Sequence, residues 1–167
     1  MLVVSNTSPL LNLALVGRLS LIREQFGNVV VPSVVREELQ LESDLPGAYE
    51  LRQAFSEGTI VTDEHSGGSG VQRSLSLTLD LGEASAIALA LDRHAEWILL
   101  DDLDARHTAA ALGLRVTGVV GIVLRAKRDG SIDCVEAELH RLRDKAGFRL
   151  GSRLIAEALR AAGEGGA

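Results

Sequence analysis

The stretch Ile98–Arg106, ILLDDLDAR, sets carboxylates at Asp101, Asp102 and Asp104 directly after an apolar run that begins at Trp97. Like charges this close raise one another's energy unless a cation lies among them. Two further carboxylates fall where helical spacing turns them toward apolar neighbours. Val34, Glu38, Leu41 and Leu45 follow the i, i+4, i+7, i+11 spacing of one helix face, with Glu37 further from it. Glu83 shares a stripe with Ile87, Ala90 and Leu91. Inward-facing carboxylates are costly unless paired or metal-bound, and no basic residue occupies either stripe. The chemistry that answers this pattern is ligation of a hard divalent cation, Mg²⁺ or Mn²⁺, by a few carboxylates and waters.

Each acid also has a plainer role open to it. Asp102 can be the N-cap of the helix that follows it. Asp80 and Glu83 fit a capping box, with Asp in the Ser/Thr role. Glu38 can be a solvated surface acid, and Asn6 can serve an Asx-turn between strand and helix. Their placement on separate elements favours a shared site over these separate roles.

The elements that must position them are short and alternate. Strands are expected at Leu2–Ser5, Asn28–Pro32, around Thr59–Thr62, at Trp97–Leu100 and at Leu114–Gly118. Ser8 followed by Pro9 reads as an N-cap and first helical residue, for a helix ending at Gly17. A short helix over Leu19–Phe26 follows, then one capped by Ser33 and running to Glu42, and one from Pro46 to Ser56. Further helices are expected from Asp80 to His94, from Asp102 to Leu112, over Gly118–Arg128, over Val135–Lys145 and over Ser152–Ala161. The segment HSGGSGVQR makes residues around 63–74 a flexible loop within a single domain spanning 1–162, and residues 163–167 a frayed tail. Buried strands alternating with helices imply an α/β fold, a three-layer α/β/α sandwich with a central parallel sheet. Ligands of such sheets bind at the carboxyl ends of the strands, which is where Asn6, Asp101 and Asp102 belong.

Composition narrows the field further. The 167 residues suit one domain with a sizeable core, and 46% apolar content excludes a disordered chain. Aromatics at 3% argue against a stacking platform for single-stranded nucleic acid. Residues 1–100 carry 6 Lys/Arg against 13 Asp/Glu, whereas 101–167 carry 11 against 10. Any nucleic-acid contact therefore needs a local basic surface in the C-terminal part, or bound cations. One cysteine excludes an internal disulfide and a Cys-rich zinc site. The longest N-terminal apolar run is interrupted by Asn12, is too short to span a bilayer and lacks a cationic flank, so a cytoplasmic location is expected and no membrane role.

Four blocks, VVSNTSPLLNLALVGRLSLI, VVVPSVVREEL, LDLGEASAIALAL and ILLDDLDARHTAAALGLRVTGVVGIVLRAKRDG, together with GFRLGSRLIAEAL, resemble the PIN domain family. The likeness is to its bacterial and archaeal PIN-like branch, related to the toxins of VapC-type toxin–antitoxin modules. It implies a Rossmann-like sandwich and a Mg²⁺- or Mn²⁺-dependent endoribonuclease leaving a 5′-phosphate. It places the family's four acidic positions at Asn6, Glu38, Glu83 and Asp102, with Asp101 as a further metal ligand, Asp104 as an auxiliary and Ser8 as a supporting polar residue. The departure is Asn6, where active members usually carry Asp. Asn keeps an oxygen that can ligate a hard cation but removes one negative charge. RNA, an antitoxin protein and a second copy of the chain are the implied partners, the last through Leu11, Leu15, Leu19 and Ile22, which could equally cover the sheet. Arg106, Arg115, Arg125, Lys127 and Arg128 are the candidates to hold an RNA backbone, against an ordinary role as solvated helix surface.

The competing reading is a catalytically weak or inactive module that binds nucleic acid or protein. A haloacid-dehalogenase-type phosphatase is disfavoured because too little chain follows Asp102-x-Asp104. A receiver domain is disfavoured because the first strand ends in Asn6. Ser5, Thr7 and Ser8 lack a paired His–Asp pattern, and the four histidines are scattered.

Overall fold

The computed structural model describes residues 1–64 and 69–165. Five strands form one all-parallel sheet in the order β3-β2-β1-β4-β5, from β1 (Val3–Ser5), β2 (Val29–Pro32), β3 (Ile60–Asp63), β4 (Trp97–Leu99) and β5 (Val116–Thr117). The chain winds outward from β1 to β3, then returns to lay β4 on the other side of β1. The order reverses between β1 and β4, which pair through Val3 with Trp97, Val4 with Ile98 and Ser5 with Leu99. A reversal of this kind opens a crevice at the carboxyl ends of the two strands.

Alternation along the strands builds the two helical layers. Val3, Val29, Val31 and Leu99 face one core, Val4, Ile98 and Leu100 the other. The larger core is covered by α1 (Thr7–Leu15), α2 (Ser20–Phe26), α4 (Ala48–Ser56), α8 (Val119–Asp129), α9 (Val135–Ala146) and α10 (Ser152–Ala161). The smaller is covered by α6 (Leu81–Asp92) and α7 (Leu103–Ala111), while α3 (Ser33–Glu38) and α5 (Gly70–Leu75) pack beside α6. The α/β/α sandwich expected from the alternation of elements is the fold. Among the described residues no helix is long and apolar enough to cross a membrane.

Several local expectations are corrected. Asn6, not Ser8, is the N-cap of α1, so Pro9 stands at the third helical position, where its missing N–H still costs no helical bond. Helix α3 stops at Glu38 and turns through Gln40, a non-glycine residue at φ 47°, so no helical face continues to Leu41 and Leu45. Of the expected loop, residues 65–68 lie outside the described residues, and 70–75 form α5, whose first turn is capped by Ser69 accepting the Gln72 N–H at 3.0 Å. Of the expected frayed tail, residues 166–167 lie outside the described residues. Glu164, in contrast, accepts the backbone N–H groups of Val135 and Glu136 and pairs with Lys127 at 3.1 Å. The tail thus caps α9. Of the apolar residues offered for a dimer surface, Leu19 and Ile22 are buried in the larger core, so they cover the sheet.

Candidate active site

At the crevice, a cleft of about 690 Å³ gathers Asn6, Glu38, Asp80, Glu83, Asp101 and Asp102, with Phe148 and Arg149 at its rim. Asn6 follows β1 directly, and its backbone N–H is donated to Leu99 O at 3.1 Å, which ties the α1 cap to the neighbouring strand. The residue is 6% exposed, and its side-chain Oδ1 is buried without a hydrogen-bond partner. An Asn cap would ordinarily accept a helix N–H; this one makes no such bond. A buried acceptor left unpaired costs free energy, so an electropositive partner in the cleft would be bound against little competition.

Glu83 and Asp80 form the capping box of α6. Asp80 Oδ1 accepts the Glu83 N–H at 2.8 Å, and Glu83 Oε2 accepts the Asp80 N–H at 3.3 Å. Glu83 is also buried and faces other acids. Burial, then the charges of Asp80, Asp102 and Glu38, pushes its pKa up from 4.5 to about 7, against the pull of the Asp80 backbone N–H. Capping α6 and lining the cleft therefore coexist in one side chain. Asp102 behaves similarly: Oδ1 accepts the Ala105 N–H at 2.9 Å and caps α7, while the residue itself lines the cleft.

Glu38 is more exposed than an inward-facing stripe implies, because α3 ends at it. Its carboxylate nonetheless lies in the cleft, accepting a hydrogen bond from Thr7 Oγ1 and resting on Gly82 of α6. Four separate segments thus deliver Asn6, Glu38, Glu83 and Asp102 to one crevice.

Asp101 does a different job from its neighbour. Oδ1 accepts the Val119 N–H at 2.7 Å, and Oδ2 accepts Asn12 Nδ2 at 3.0 Å and Ser8 Oγ at 3.1 Å. Burial raises its pKa; those three donors and the nearby Arg106 oppose the rise. The carboxylate clamps α1 and α8 to the end of β4, so Asp101 positions the site and its oxygens are already engaged by protein donors. Ser8, expected as a supporting polar residue, lines the cleft and donates its hydroxyl to Asp101. Asn12, donating also to Ser8 Oγ at 3.1 Å, is a supporting residue that sequence reading passed over; its signal was a polar side chain inside LLNLAL. Thr7, the partner of Glu38, was likewise missed. Asp104 is exposed on the first turn of α7, outside the cleft.

None of the five expected backbone-binding cations lines the cleft. Arg106 Nη1 is donated to Leu100 O at 2.9 Å. Arg115 stacks over Trp97 at the amino-terminal side of β5, away from the carboxyl ends. Arg125, Lys127 and Arg128 lie in the last turns of α8 and pair with Asp129, Glu164 and Asp129. The cation at the cleft is Arg149, from the arginine-rich C-terminal part.

Among the described residues, no group of three His, Cys, Asp or Glu side chains lies close enough together to enclose an ion by itself. The donors nonetheless suit a hard cation that keeps much of its water: one amide oxygen without a hydrogen-bond partner, and the carboxylates of Glu38, Glu83 and Asp102, which form no ion pair among the described residues. A family model described as DUF3368, PIN domain, matches residues 2–164. No curated protein and no solved structure shows a significant match.

Proposed function

This chain belongs to the PIN domain family, whose members are in general nucleases, and from that premise we propose that it is a cytoplasmic, Mg²⁺- or Mn²⁺-dependent endoribonuclease acting on single-stranded RNA. The observation that carries the reading is the convergence of Asn6, Glu38, Glu83 and Asp102, from four separate segments, on one cleft, with the buried Asn6 Oδ1 left without a hydrogen-bond partner. Asn6, Glu38, Glu83 and Asp102 are the residues that would hold the ion. A divalent cation there supplies Lewis-acid activation of water and relief of charge on the phosphodiester. The chain's own part is to fix the oxygens. The capping box sets Glu83, the α7 cap sets Asp102, Thr7 sets Glu38, and the Asp101 clamp sets the strand end from which Asp102 projects. In the metal-free protein Glu83 is raised to about 7, so taking up a divalent cation there would displace a proton from it near neutral pH.

RNA cleavage by the wild type and Asp102→Asn, with Mn²⁺ and after chelation, tests this. Cleavage that needs Mn²⁺ and is lost in the variant supports it; equal rates, or activity that survives chelation, remove the site.

The neutral amide at position 6 favours a second reading, a module that binds RNA or protein with little cutting. Asn6→Asp separates the two: metal-dependent cleavage gained from an inert parent establishes the second. In the toxin form of the first reading, an antitoxin protein covers the cleft, and co-purification of a small partner checks it.

A further inference from the structure

Arg149 stands between Phe148 and Leu150, both packed against the larger core. Ahead of it, Gly147 closes α9 at φ 64°, and the Phe148 N–H is donated back to Leu142 O at 3.0 Å. The left-handed glycine lets the chain fold back over the helix end so that this bond can close. The base of residue 149 is therefore held on both sides while the residue itself is exposed.

It lines the cleft that also presents Glu38, Asp80, Glu83, Asp101 and Asp102. Among the described residues it makes no ion pair and no side-chain hydrogen bond, although it shares the cleft's lining with five carboxylates. The cations of α8, by contrast, are all paired. A polyanion approaching five carboxylates is repelled unless fixed positive charge meets its phosphates. A guanidinium provides that charge with two parallel donors matched to phosphate oxygens.

Resting on the ribonuclease reading above, we propose that Arg149 is a substrate-binding residue that grips a backbone phosphate of RNA entering the acidic cleft. The remote cations of α8 are then not needed for productive binding.

The test measures binding of a fluorescein-labelled single-stranded RNA oligonucleotide by anisotropy, with Mn²⁺, for Asp102→Asn alone and combined with Arg149→Ala. At least about tenfold weaker binding is expected from removing a charge-assisted phosphate contact, with Arg149→Lys between the two. In cleavage by the otherwise unaltered chain, Arg149→Ala raises KM and leaves kcat near its starting value. Mn²⁺ affinity without RNA, read by calorimetry, stays the same or rises slightly. Unchanged RNA affinity overturns the proposal. So does a rise in Mn²⁺ affinity of more than about tenfold with RNA affinity intact, because Arg149 is then the cleft's internal counter-ion. Should Arg149→Ala unfold, Arg149→Gln and Arg149→Lys carry the comparison. A wild type that neither binds nor cuts RNA overturns the ribonuclease reading and this proposal with it. A wild type that cuts, alongside an Arg149→Ala variant with unaltered KM, overturns this proposal alone.

Discussion

A methyl group on Gly82 would lie 2.5 Å from Oε2 and 2.6 Å from Oε1 of Glu38, so the first turn of α6 and the carboxylate at the end of α3 are in direct contact. Gly82 has no left-handed backbone, so the glycine is needed for space rather than for conformation. Alanine would favour the helix by up to about 1 kcal/mol. It would also push the Glu38 carboxylate off its seat and break the Thr7 bond. Gly82→Ala should therefore keep or slightly raise Tm while weakening Mn²⁺ binding several-fold. Calorimetric titration checks this; undiminished Mn²⁺ affinity would remove Glu38 from the ligand set.

The two adjacent aspartates should separate cleanly by substitution with Asn. Asp102 needs one acceptor to cap α7, and Asn caps as well as Asp. Asp102→Asn should leave Tm within a degree or two and abolish cleavage. Asp101 receives donors on both oxygens, from Val119 on one side and from Ser8 and Asn12 on the other. An amide NH₂ must face one set of donors, so Asp101→Asn should cost about 2 kcal/mol of stability. Urea titrations of both variants decide. Equal stability loss in the two would contradict the division of labour between clamp and ligand.

These assignments also show what could be read from the chain alone. The sheet was legible because Val3–Ser5, Val29–Pro32 and Trp97–Leu99 are short apolar runs bounded by caps and glycines, and periodicity responds to that. Asn6, Glu83 and Asp102 were legible because strand ends and a capping box announce themselves locally. Glu38 was placed in the cleft by a helical stripe that does not exist; α3 ends at that residue, and the carboxylate arrives through Thr7 and Gly82. The Asp101 clamp joins positions 8, 12, 101 and 119. No local pattern reports such a contact, because it exists only after β1 and β4 have paired. The α8 cations looked free in one dimension and are paired in three.

Glu83 makes a pH dependence that belongs to the metal-free protein. Its folded pKa is raised to about 7, whereas the unfolded chain titrates near 4.5. The folded state holds the extra proton between those values, so stability falls as pH rises from 4.5 to about 7 and is not recovered above that. Glu83→Gln keeps an acceptor for the Asp80 N–H and cannot ionise. Thermal melts across pH 5 to 8 should show wild type losing Tm relative to Glu83→Gln as pH rises. Saturating Mn²⁺ should restore the wild type at high pH, because binding to the ionised carboxylate stabilises the folded state. A difference between the two proteins that does not vary with pH would mean that Glu83 is already charged in the folded apo form.

Glu164 predicts the opposite slope from the other end of the chain. The N–H groups of Glu136 and Val135, and then Lys127, hold its pKa down from 4.5 to about 2. A depressed folded pKa contributes stability that is present above 4.5 and lost as pH falls toward 2. Glu164→Ala leaves two donors at the start of α9 without their acceptor and Lys127 without its carboxylate. The loss should be roughly 1 kcal/mol at neutral pH, as for removal of a helix cap, and should shrink as pH falls from 4.5 toward 2, where the wild-type carboxylate itself takes up a proton. Because α9 carries Gly147 and the Arg149 segment at its far end, loosening its start should propagate to the cleft only if the helix moves as a unit. Chemical denaturation at pH 7 and pH 3, paired with the anisotropy assay, distinguishes the cases. Lower stability with RNA affinity retained means that the C-terminal cap only secures the fold; a parallel drop in both means that α9 also holds Arg149 in place.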